Sequence, residues 1–204
     1  MRGPENTLAA IDRASGHVDA VEVDVRRCGS GEVVVVHDAT LDRLAGVDSR
    51  VSETPWTELR ELRVLGSDQH VPRLAAVVDA LPPTVGLNLE LKEPGLTSDV
   101  EALVSPHPDV WVSSFDVGAI AETSLSRALV FADDWDASVA RATELDCAFV
   151  HPQYELVLSD PGRVDEAHAA GLAVNVWTPP ADAVPRLAEA GVDGVIVDDW
   201  AVSW

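Results

Sequence analysis

Short apolar runs alternate with amphipathic stretches along most of the chain. The runs are "DAVEVDV" (19–25), "GLNLEL" (86–91), "VWVSS" (110–114), "ALVFA" (128–132), "CAFVHP" (147–152), "LAVNVWT" (172–178) and "GVIVD" (194–198). They are rich in Val, and several are apolar at nearly every position, as strands covered on both faces must be. Between them the spacing of apolar residues predicts helices over about 7–16, 54–63, 72–81, 97–105, 116–126, 136–145, 160–170 and 180–190. Asp116, Asp136 and Asp160 stand where N-caps belong. Thr54 reads as a cap with Pro55 at the first helical position. Gly171 and Gly191 stand where helices should stop.

Alternating strand and helix predicts an α/β fold with a parallel sheet. Without a dinucleotide glycine fingerprint, a TIM (β/α)8-type barrel is favoured over a doubly wound sheet. One run breaks the alternation. "EVVVVHD" (32–38) follows "VEVDVRR" with only "CGSG" between them, too little for a helical crossover. It reads as the return arm of a hairpin, which brings His37 back to the level of Val23 or Asp24. Seven barrel strands remain. The first of eight is the one expected to be missing, and an unclosed barrel exposes two strand edges.

Strand side chains alternate faces. Glu22 and Asp24 therefore share a face, as do Asn88, Glu90 and Lys92. In a barrel this polar set must point inward at the C-terminal mouth, because helices cover the outside. Three carboxylates converging there need a cation to stay charged. Hard oxygen ligands in this number suit Mg²⁺ or Ca²⁺. Buried ion pairs, Glu90 with Lys92 or Asp24 with Arg26, are the alternative that the spacing leaves open. His37 ends its strand beside this set, where an imidazole can act as general acid or base; a capping or core role is the alternative. His151, at the end of "CAFVHP", is a second histidine placed to line the mouth.

Composition narrows the setting. The 204 residues suit one domain spanning 1–204. No apolar run reaches the length of a membrane span, and "MRGPENTLAA" has no signal-peptide core, so a soluble cytoplasmic protein is expected. The net charge of −21 argues against nucleic acid or an anionic membrane as partner. Of the 14 cationic side chains only Lys92 is a lysine. Spread acidity with almost no lysine points to adaptation to high salt, with an ordinary acidic protein as the alternative. Cys28 and Cys147 are too few for a disulfide framework or a zinc site and read as packing residues. Nothing here sets the oligomeric state.

The ordered motifs "PENTLAA" (4–10), "VEVDV" (21–25), "VVVVHDATLDR" (33–43), "VSETPWTELREL" (51–62), "VPRLAAVVDAL" (71–81), "LNLELK" (87–92), "VSSFD" (112–116), "VNVWT" (174–178) and "AGVDGVIVDD" (190–199) resemble the glycerophosphodiester phosphodiesterases. These are metal-dependent TIM barrels. The resemblance covers nearly the whole chain. It implies hydrolysis of a small glycerophosphodiester to an alcohol and glycerol 3-phosphate. It also implies that Glu22, Asp24 and Glu90 are metal ligands and that His37 is one of two acid/base histidines. Arg2 and Lys92 would lie near the phosphate, and Trp177 would line the alcohol pocket. The lone lysine is then kept for an anion. The family's first strand ends in His-Arg-Gly; here Met1 stands in the place of that catalytic His. A start further upstream, a catalytically impaired chain, and a module that binds metal and phosphodiester without turnover all remain open.

Overall fold

The computed structural model describes residues 4–200. In chain order, α1 (Leu8–Ser15) leads into β1 (Ala20–Arg27), and β2 (Val33–Val35) returns from it. There follow α2 (Asp42–Ala45), α3 (Trp56–Leu59), α4 (Leu74–Ala80), β3 (Gly86–Leu91), α5 (Thr97–Val104), β4 (Val110–Ser114) and α6 (Val117–Ile120). The second half holds β5 (Ser126–Phe131), α7 (Trp135–Glu144), β6 (Phe149–Pro152), α8 (Tyr154–Ser159), α9 (Gly162–Ala169), β7 (Ala173–Trp177), α10 (Val184–Glu189) and β8 (Gly194–Ile196).

The strands form one curled sheet, a half-barrel in the order β2-β1-β3-β4-β5-β6-β7-β8. Among the described residues β1 and β3 to β8 run parallel, and β2 alone is antiparallel. This is the expected α/β barrel type with a hairpin and seven parallel strands. Among the described residues no strand pairs with β8 on its side away from β7. The Asn6 side chain takes up a backbone group of β1 just beyond its pairing with β2: its Oδ1 accepts from the Asp24 backbone N–H at 3.1 Å.

Packing explains the register. Val21, Val23, Val25, Leu87, Leu89 and Leu91 are buried in one hydrophobic cluster with Val77 of α4 and Val100 of α5. Burying a Val or Leu side chain contributes about 1.5–3 kcal/mol, and a one-residue slip would turn this whole row over. The row therefore fixes the faces of Glu22, Asp24, Asn88 and Glu90. A second cluster, including Val34, Val36, Leu41, Leu44 and Leu59, lies between the hairpin arm and the segment that follows it. The hairpin turn is pinned there. A Cβ at Gly29 would come within 2.7 Å of the Glu53 carbonyl carbon, and Gly31 has φ +99°.

Several expected helices differ. The one at 54–63 is a single turn whose N-cap is Pro55. Thr54 does not cap it: its hydroxyl bonds Ser49 and donates to the Arg50 carbonyl. Asp134, not Asp136, caps α7. Asp160 ends α8, a helix the periodicity did not reveal, while its side chain accepts from Gly162 N–H at 3.2 Å. The helix at 116–126 stops at Ile120, because Ser126 already belongs to β5. Asp116 does cap α6, and Gly171 and Gly191 have positive φ just past α9 and α10. Cys28 and Cys147 are free and buried, as packing residues should be. Among the described residues no helix is long and apolar enough to cross a membrane.

Candidate active site

The parallel register of β1 and β3 sets Glu22 beside Asn88 and Asp24 beside Glu90. Like charges directly across a strand pair repel. Here three carboxylates go further and converge. One oxygen each from Glu22, Asp24 and Glu90 lies within 4.8 Å of the others. Burial pushes the Glu22 carboxyl well above the ordinary range, and the neighbouring Asp24 and Glu90 add to the shift. Burial also raises Glu90, against the pull of Lys92.

Lys92 follows β3, and its side chain is only 12% exposed. Its Nζ lies 2.7 Å from Asp24 Oδ1 and donates to Glu90 Oε1. Burial by itself would lower the ammonium's pKa, but Asp24 and Glu90 outweigh it and the net shift is upward. The ion pair of Glu90 with Lys92 therefore forms. That of Asp24 with Arg26 does not: Arg26 Nε donates to the His37 carbonyl at 2.9 Å, and its guanidinium lies 3.6 Å from Glu93. Asp24 is further fixed by Asn6, whose Nδ2 donates to Oδ2 at 2.7 Å. Asn6 holds φ +54°, a left-handed conformation that Asn tolerates.

Among the described residues, one cation from Lys92 does not balance three carboxylates. Among the same residues Glu22 Oε1 is buried with no hydrogen-bond partner, and Asn88 Oδ1 in the next strand is likewise orphaned. Buried polar oxygens without a donor need an explanation. A hard divalent ion among oxygen ligands supplies one, so the residues present fit such a metal.

His37 stands at the same end of the sheet. Val36 N–H donates to the Asp24 carbonyl at 2.9 Å, which places His37 at the expected level. Its Nδ1 lies 2.7 Å from Asp38 Oδ1. Trp177 ends β7. Its Nε1–H donates to the His151 carbonyl at 2.8 Å, and its ring meets Phe115 edge-on, with centroids 5.5 Å apart. His151 itself does not line the mouth. It is 1% exposed, and burial drives its pKa down to about 3. Arg2 lies outside the described residues.

Three residues at this site carried no role in the sequence reading. Asn6 braces Asp24, Asp38 contacts His37, and Phe115 is a half-exposed aromatic ring against Trp177. Each sits inside a motif already noticed, "PENT", "HD" or "SSFD", and that neighbourhood was the available signal.

The chain is similar to a glycerophosphodiester phosphodiesterase of Caldanaerobacter subterraneus subsp. tengcongensis. The two are 26% identical over 96% of this chain and 89% of that one. Its fold superposes on a phosphodiesterase of Oleispira antarctica solved in complex with the product sn-glycerol-3-phosphate. There the TM-score is 0.87 and the identity 28%, over 97% of this chain and 88% of that one. The glycerophosphodiester phosphodiesterase of Thermotoga maritima gives a TM-score of 0.84 at 26% identity, covering 96% and 89% of the two chains. The model of the glycerophosphoryl diester phosphodiesterase family matches residues 1–202. With that match spanning almost its whole length, the chain belongs to the glycerophosphoryl diester phosphodiesterase family.

Proposed function

We propose that this chain hydrolyses small glycerophosphodiesters to an alcohol and glycerol 3-phosphate, with Mg²⁺ or Ca²⁺ held by Glu22, Asp24 and Glu90. The observation that carries the reading is the convergence of these three carboxylates in a chain of this family. A divalent ion bound there supplies Lewis-acid stabilisation of charge on a phosphate oxygen. Lys92 offers a second positive charge at the same rim and holds a non-bridging oxygen by a charge-assisted hydrogen bond. Hydrolysis needs a proton taken from the attacking oxygen and one delivered to the leaving alcohol. His37 serves one of these transfers. Trp177, with Phe115 against it, gives the alcohol an apolar wall. By the resemblance, Arg2 would lie near the phosphate.

A second reading follows from the resemblance, by which Met1 stands in the place of the family's first catalytic His. A thioether cannot transfer a proton, so the site would bind metal and phosphodiester with impaired turnover. One assay separates the two readings: release of glycerol 3-phosphate from glycerophosphocholine, with Mg²⁺ or Ca²⁺ and with chelator. The first reading expects release that chelation and Glu90→Gln abolish. The second expects little or no release but retained binding of metal and glycerol 3-phosphate. Release that survives both chelation and Glu90→Gln would overturn the metal-dependent reading.

A further inference from the structure

His37 leaves β2 on an exposed rim, and its side chain is 54% exposed, so packing fixes its ring only weakly. Polar contacts hold it instead. Its carbonyl accepts from Arg26 Nε, and its Nδ1 meets Asp38 Oδ1 at 2.7 Å. The other oxygen of that carboxylate, Oδ2, accepts from Arg43 Nε at 2.5 Å. A second nitrogen of the same guanidinium pairs with the Glu5 carboxylate. Glu5 precedes α1 and Arg43 lies in α2, so segments on both sides of β1 and β2 brace one ring.

We propose that Asp38, held in turn by Arg43 and Glu5, is a positioning residue that keeps the His37 proton on Nδ1 and leaves Nε2 as the open nitrogen. The chemistry of the contact sets the direction. An ionised carboxylate only accepts hydrogen bonds, so a neutral imidazole facing it must present N–H. The hydrogen bond from Arg43 holds the Asp38 carboxyl below its ordinary range; burial opposes this and the contact with His37 assists. The protonated nitrogen is then Nδ1, and Nε2 keeps its lone pair. Glu90, on the metal-site side, is a further charged group that interacts with His37.

Exposed ion pairs of this kind contribute little to folding stability. Their removal should therefore leave the fold standing and alter the ring. The inference rests on His37 being a proton-transfer group, but the tautomer is measurable without turnover.

The test is nitrogen-15 NMR of the imidazole at about pH 8.5, where an ordinary histidine is neutral. The His37 signals are identified by their loss in H37Q. The wild-type ring should be predominantly the Nδ1–H form. D38A should move the population toward Nε2–H, D38E should restore part of it, and R43Q should shift it the same way by less. A wild-type ring in the Nε2–H form, or populations unchanged in D38A, would overturn the assignment. Should D38A not fold, R43Q decides: unchanged populations there sink the relay. Full turnover in H37Q would remove the acid/base reading of His37 and leave the tautomer result intact, so the two failures are distinguishable.

Discussion

The Lys92 ammonium lies 2.7 Å from Asp24 Oδ1 while also donating to Glu90, so one side chain links two of the three converging carboxylates. Both partners sit in a nearly solvent-free rim. Removing Lys92 leaves two buried carboxylates without their shared cation. Lys92→Met should destabilise the metal-free protein by about 3–5 kcal/mol, the usual cost of breaking a buried pair. Divalent cation should recover part of the lost melting temperature. A variant as stable as wild type without metal would show that the pair carries no folding energy.

The same substitution should weaken the binding of glycerol 3-phosphate. A hydrogen bond to a charged group contributes about 1.5–3 kcal/mol, or roughly 10- to 100-fold in affinity. An unchanged inhibition constant would place the phosphate elsewhere.

For His37, replacement by Gln should reduce glycerol 3-phosphate release by about 10²–10⁴-fold, with metal affinity unchanged. Loss of metal binding in the same variant would mean that the ring acts on the carboxylates rather than on substrate.

Burial of His151 makes a separate demand on pH. Its pKa falls to about 3 in the fold, below the ordinary value of about 6.5. The unfolded chain then takes up a proton that the folded chain refuses. The stability held by the neutral ring is complete above about pH 6.5 and falls toward pH 3, by up to about 1.4 kcal/mol per pH unit. Urea midpoints from pH 7 to pH 5 should decline less steeply in His151→Gln than in wild type. Parallel slopes would contradict the buried neutral ring.

A net charge of −21 on 204 residues repels itself, and salt screens exposed charge. Raising KCl from about 0.1 to 2 M shortens the Debye length below about 3 Å, so the melting temperature should climb. A flat response would leave the high-salt reading without support.

Much of the fold was legible because its signals are local. The Val-rich runs marked the parallel strands, and the four residues "CGSG" forced a hairpin. Period-two spacing put Glu22, Asp24 and Glu90 on one side before any contact was visible. The helix boundaries were less legible where tertiary packing decides them. Thr54 carries a capping side chain, yet the hydroxyl is used by Ser49 and Arg50. His151 sits on a strand among apolar residues, and sequence cannot say how deep in the sheet it lies. Asn6 escaped notice because its partner is 18 positions away, and Arg43 reaches Glu5 across 38. Side-chain bonds at such separations leave no periodic trace.

Cation binding to the three carboxylates is the claim on which the rest depends. Isothermal titration of Mg²⁺ and Ca²⁺ into the wild-type chain, Glu22→Gln and Glu90→Gln tests it most directly. The account expects one ion per chain in wild type, with affinity lowered about 10-fold or more in each variant, since each loses a charged oxygen ligand. No binding to wild type, or equal affinity in all three proteins, would contradict it.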